Sequence, residues 1–202
     1  MNMPSLRAQH WLIFAAIGAL FFACGTWLVR LAQPAEPLPG LREWQAEVFT
    51  PLADERLTLA RLTAAAAGQL WLQPRLDGAR LLYRAEWQTG DQPWALEAEL
   101  ALTQAERASL LSAFGASVQA GEQSLGEQLL AQLGSHQIAS LSLTPLHDVA
   151  AERLISSLGA PRLRLALGGG QAWVYPDLGL TAHTDGERLR LLHAVPREAQ
   201  QR

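Results

Sequence analysis

Histidine, cysteine and tryptophan are the side chains here with the most to offer chemistry, and their spacing decides which of them could act together. A protein metal site needs several imidazoles, thiolates or carboxylates converging on one point. His183 and His193 flank Asp185-Gly186, which reads as a two-residue hairpin turn. That turn sets Thr184 opposite Glu187, His183 opposite Arg188, Leu180 opposite Leu191 and Leu178 opposite His193. The two imidazoles then face opposite sides of the sheet, and no metal site is expected. His147-Asp148 reads as the first turn of a helix, where the acid complements the helix dipole. His136 has no assignable partner.

Nucleophilic hydrolysis would call for an elbow such as G-x-S-x-G, which is absent, so no catalytic residue is assigned. Gly168-Gly169-Gly170 lacks the Lys-Ser/Thr and the following helix of a phosphate cradle; it reads as a hairpin turn, and no cofactor is expected. Glu97 and Glu99 share one strand face and read as solvated, with a glycan-binding surface as the alternative. Trp71, Trp87, Trp94 and Trp173 all fall in predicted strands, where a large aromatic fills the core or anchors a partner. Trp87 and Trp94 come together across their hairpin and, if no helix covers them, are the expected partner-binding pair. Cys24, the single cysteine, allows no internal disulfide and no cysteine-based zinc site.

The elements that position these residues follow from periodicity. Leu41, Trp44 and Val48 lie at helical spacing. Thr50-Pro51-Leu52-Ala53-Asp54 reads as a helix start, with Thr50 as N-cap and a helix to about Ala67. Strands are predicted over Gln69–Leu72 and Ala79–Gln88, and over the alternating Trp94, Leu96, Ala98, Leu100 and Leu102, giving a hairpin with one dry and one wet face. Thr103-x-x-Glu106 is a capping box opening a helix that ends at Gly115. Leu125, Leu129, Leu130 and Leu133 predict another helix. Thr144-Pro145-Leu146-His147-Asp148 repeats the TPLxD of residue 50 and predicts a helix to Leu158. QLWLQPRLDGARLLY also has a counterpart in RLRLALGGGQAWVY, so a tandem repeat of a helix-plus-hairpin unit is one reading and chance similarity the other.

Ahead of all this stands the uncharged run Trp11–Val29, about 28 Å long as a helix and so near the thickness of a bilayer's hydrocarbon core. It reads as an uncleaved transmembrane anchor; a cleaved signal and a lipoprotein signal with Cys24 as the lipidated residue are the alternatives. The expected organisation is a short N-terminal tail (1–10), the anchor (11–29), a proline-rich linker (30–40), two α+β units (41–116 and 117–196) and a polar tail (197–202). All nineteen acids but only fourteen of the sixteen arginines follow residue 30, so a basic nucleic-acid surface is not indicated.

A helix ending in Leu158-Gly159-Ala160-Pro161, a strand, Trp173-Val174-Tyr175, and Leu178-Gly179-Leu180 before Asp185-Gly186 give residues 144–195 a resemblance to the SmpA/OmlA envelope lipoproteins and the related beta-lactamase-inhibitor fold. The resemblance implies helices packed on an antiparallel sheet, and binding or assembly without catalysis. The expectation is therefore an α+β protein that is not an enzyme, held by a single span in the inner membrane of a diderm bacterium. Its C-terminal domain would lie in the periplasm and bind another envelope protein. Inhibition of a periplasmic hydrolase and a lipoprotein-type assembly role are the alternatives.

Overall fold

The computed structural model describes residues 8–31, 35–90, 92–114 and 121–200, in two compact units that divide between Ala35 and Glu36. The first unit holds helix α1 (Ala8–Leu31), with Cys24 inside it and exposed. Trp11 and the side chains from Phe14 to Trp27 are described and exposed; Phe14, Ile17, Leu20, Phe21, Phe22 and Trp27 are the large apolar ones after Trp11. Among the described residues, no helix is long and apolar enough to cross a membrane.

The second unit is α+β, as expected. Helix α2 (Leu41–Trp44) continues through a π turn (Gln45–Phe49) into α3 (Thr50–Ala53), and α4 spans Leu59–Ala65. Strands β1 (Gly68–Arg75), β2 (Gly78–Thr89) and β3 (Gln92–Leu100) form a meander, followed by α5 (Gln104–Ala113), β4 (Gln123–Leu125), α6 (Glu127–Gln132) and β5 (Ile138–Pro145). After β6 (Val149–Ala150) and α7 (Glu152–Leu158) come β7 (Leu163–Leu167), β8 (Gly170–Tyr175), β9 (Leu180–Asp185), β10 (Arg188–Ala194) and α8 (Arg197–Gln200). All strands belong to one antiparallel sheet in the order β4-β1-β2-β3-β5-β10-β9-β8-β7, with β6 beside β10.

Alternation explains the layering. In β3, Trp94, Leu96, Ala98 and Leu100 are buried while Ala95, Glu97 and Glu99 face away, as a half-buried strand requires. The buried row continues through Leu141 and Leu143, Leu192 and Ala194, Leu180 and Ala182, and Trp173 and Tyr175. Over this face pack Leu41, Trp44, Val48, Phe49 and Leu52 of the first helical segment, Leu59 and Leu62 of α4, and Leu154 of α7. The sheet thus has one helix-covered face and one largely open face.

Several expectations need correction. Thr50 is not an N-cap: it has helical dihedrals inside a segment that starts at Leu41, because Trp44, Val48, Phe49 and Leu52 need one continuous apolar stripe. Its later copy, Thr144-Pro145, ends a strand rather than opening a helix, so His147 and Asp148 precede α7 and the repeated motif marks no repeated element. Nor does the sheet divide at residue 116. Its order is that of two four-stranded meanders, β1-β2-β3-β5 and β7-β8-β9-β10, with their fourth strands side by side. The linker's described end is also part of the body. Leu38 is buried and its N–H donates to Ser157 Oγ at 2.7 Å, while Arg153 donates to the carbonyls of Glu36 and Pro37.

The capping box forms as read: Glu106 N–H donates to Thr103 Oγ1 at 3.3 Å and Thr103 N–H to Glu106 Oε2 at 2.7 Å. Thr103→Ala is expected to cost about 1 kcal/mol, measured as a shift in the urea midpoint at constant slope. Gly115, the expected end of that helix, lies outside the described residues.

Candidate functional site

The tryptophan pair proposed as an interaction surface is not at the surface. Trp87 and Trp94 do sit opposite each other across β2 and β3, but Trp44 stacks on Trp87 at 4.0 Å between ring centroids and meets Trp94 edge-on at 5.5 Å. Trp94 is 2% exposed and Trp87 8%. The covering residue comes from a helix remote in sequence, so a strand-by-strand reading could not place it.

The open face offers a broad groove of about 920 Å³ over β1, β2, β3, β5 and β10. It is lined by Trp71, Arg84, Glu86, Glu97, Ser142, Thr144 and Leu191, among others. Register explains the grouping: Arg84 lies opposite Glu97, Glu97 opposite Ser142, and Ser142 opposite His193. Arg84 is the centre of the charge network. It donates through Nε to Glu97 Oε2 at 2.7 Å and through both terminal nitrogens to Glu122, and its guanidinium lies 5.6 Å from the Trp71 ring centroid. Gln73 adds a bond to Glu122 at 2.6 Å. Hydrogen bonds from Arg84, then from Gln73, hold the Glu122 carboxyl below its ordinary pKa, and the Glu122 bond is the chief cause that pushes the Arg84 pKa further up. These groups are partly exposed, so their value is in fixing geometry more than in stability.

Glu97 and Glu99, read as a solvated pair, each meet arginine: Glu97 meets Arg84, and Glu99 lies 3.6 Å from Arg80 and 3.5 Å from Arg107 of α5. Each of the two acids is thus engaged by at least one guanidinium and held in place on the strand.

The histidines are arranged differently from the simple hairpin reading. The turn is Gly186-Glu187, with Asp185 opposite Arg188, and a bulge at Arg190 shifts the register again, so that Leu191 faces His183 and His193 faces Thr181. One extra residue inverts the side-chain phase beyond it. His183 and His193 therefore share the open face. His193 Nδ1 lies 3.1 Å from Ser142 Oγ. Among the described residues no group of three His, Cys, Asp or Glu is placed to hold a metal, and no carboxylate bonds the His193 ring. What the row can do is present hydrogen-bonding groups beside apolar Leu191 and Val174 on one surface. His136, without a predicted partner, lies 3.7 Å from Glu106.

Burial, and secondarily the neighbouring His183, lower the His193 pKa below its ordinary 6.5. The unfolded chain thus binds this proton more readily than the folded one, and stability is lost as pH falls through 6.5 toward the lower folded value. Replacing His193 with Gln is expected to flatten that part of the stability curve, measured by urea unfolding at several pH values. An unchanged slope would locate the effect elsewhere.

Of the groove residues, Arg84 facing Glu97 was within reach of sequence reading, because the register that opposes Trp87 and Trp94 also opposes these two. Glu122 carried no such signal, since β4 beside it is only three residues long. Comparison with protein-family models, with curated proteins and with solved structures finds no match for this chain.

Proposed function

We propose that this protein is a binding component of the bacterial cell envelope, tethered to the inner membrane with its α+β domain in the periplasm, and that the open sheet face receives another envelope protein. The observation that carries the reading is the groove on that face, where Trp71, Leu191 and Ala95 alternate with the Arg84, Glu97 and Glu122 network. Apolar patches set among positioned charged and hydrogen-bonding groups are the composition of a protein–protein interface. Its width and shallowness suit a macromolecular surface better than an enclosed small molecule. No nucleic acid, metal or cofactor enters this reading.

Helix α1 supplies the tether. Its 24 residues correspond to about 36 Å of helix, and the uncharged run Trp11–Val29 also includes Leu12, Ile13, Leu28 and Val29, whose side chains lie outside those described. In this reading Cys24 is an ordinary thiol within the span. The paired meanders of the sheet fit a duplicated ancestral unit.

Two measurements on the full chain test the proposal. A reporter active only in the periplasm, fused after Arg202, is expected to give signal in a membrane fraction resistant to carbonate extraction. Photo-cross-linking from Thr144 or Glu86 is expected to capture one defined envelope protein, and an Arg84→Glu variant is expected to lose it. Signal in a soluble fraction would remove the tether; capture unaffected by Arg84→Glu would remove the groove.

A further inference from the structure

The two ends of the sheet are finished differently. At one end the outer edge of β1 is covered by β4, which pairs Leu70, Leu72 and the intervening Trp71 with Leu125, Gln123 and Ser124. At the other end β7 pairs only with β8, and among the described residues no strand covers its outer edge. All five residues of β7 are exposed. Leu163, Leu165 and Leu167 project from one face of it and are 50%, 45% and 49% exposed. Natural edges are usually blunted with charge, proline or a bulge. Here the one charge within the strand, Arg164, is turned to the opposite face, with its guanidinium 4.6 Å from the Trp173 ring centroid.

We infer that β7 is a self-complementary edge, and that two copies of this chain join their sheets by pairing β7 antiparallel to β7 about a two-fold axis through Leu165. The backbone phase permits it. The Gly168-Gly169 turn makes Leu167 and Gly170 a hydrogen-bonded pair, and such pairs alternate along an antiparallel ladder, so Arg164 and Ala166 direct their N–H and C=O groups to the open edge. With Leu165 opposite Leu165 of the second copy, Arg164 falls opposite Ala166 and Ala166 opposite Arg164. About four interchain backbone hydrogen bonds result. The same register sets Leu163 opposite Leu167, bringing the leucines of both copies onto one face as cross-strand pairs. No charge opposes a like charge, whereas sliding the copies to place Arg164 opposite Arg164 would set guanidinium against guanidinium. A two-fold interface of this kind is isologous and closes after two chains. A five-residue strand pair buries less than the roughly 1,000 Å² of a stable free dimer, so the contact is best observed on the chain at its natural level in intact cells.

Disulfide trapping tests register and partner together, using the full chain in a Cys24→Ser background and mild oxidation with copper phenanthroline. Leu165→Cys is expected to form a covalent homodimer in at least about fivefold greater yield than Leu76→Cys, since only opposed residues of a strand pair meet disulfide geometry. Leu76 is 95% exposed at the β1–β2 turn, making it a control for random collision. Co-expressed, differently tagged Leu163→Cys and Leu167→Cys chains are expected to link to each other in preference to themselves. Equal yields at residues 165 and 76, self-linking of Leu163→Cys as strong as its linking to Leu167→Cys, or capture of a chain of different mass would each overturn the inference. A dimer held only through α1 would fail the register test while leaving the tether intact.

Discussion

Trp94→Ala should lower the stability of the folded domain by about 3–5 kcal/mol, the range for emptying a large aromatic site in a packed core. Trp94 is among the largest fully buried side chains, and its removal takes away more than its own burial. It leaves the Trp44–Trp87 stack without its edge-on neighbour and opens a cavity between the first helical segment and the sheet. Since a domain of this size is stabilised by only about 5–15 kcal/mol, the variant should be near unfolding at growth temperature. Urea unfolding of the full chain in detergent, followed by near-ultraviolet circular dichroism, would show both the loss of stability and the loss of the stacked-indole signal. Trp71→Ala, on the open face, is the matched control and should cost less than about 1 kcal/mol. Equal costs at the two positions would mean that the helix-covered face is not the main core.

The second large effect is expected at Gly179, where two constraints coincide. The residue has φ of +60°, and an added Cβ would lie 2.0 Å from the Val195 carbonyl oxygen. Its own carbonyl accepts from Val195 N–H at 2.9 Å, so Val195 cannot withdraw without breaking that bond. For Gly179→Ala the left-handed backbone alone costs about 1–3 kcal/mol, and displacement of Val195 adds to it. Gly186 separates the two contributions, having φ of +59° but nothing within 4 Å of the added Cβ. Gly186→Ala should therefore show the backbone cost only. If thermal unfolding gives the same shift for both variants, the carbonyl contact at Gly179 is not restrictive.

These two sites mark how far local pattern carries. Alternation at Trp94, Leu96, Ala98 and Leu100 announces a strand with one buried face, and Thr103 with Glu106 announces a helix start, because each signal is complete within a few residues. The coarse α+β class with helices on an antiparallel sheet follows from such signals. Trp44 covering Trp87 does not, since it depends on a contact across distant sequence. Nor does the shared face of His183 and His193, which turns on one bulged residue at Arg190 that no propensity marks. Thr50 shows the same limit in reverse. A cap-forming residue before proline is a sound local start signal, and it is overridden where the upstream apolar stripe has more to bury. The groove was the least legible feature, because its charges come from two strands and a loop.

The adjacency of β5 and β10 at the centre of the sheet also governs how the protein comes into being. β10 follows β7, β8 and β9 in sequence, yet it sits between β5 and β9. A polypeptide made from its N-terminus can assemble β1, β2, β3 and β5 early, but the inner edge of β5 stays bare until β10 arrives. Synthesis therefore passes through a stage in which half a sheet presents an apolar, hydrogen-bond-hungry border, and any nascent chain halted before Arg188 remains caught at that stage.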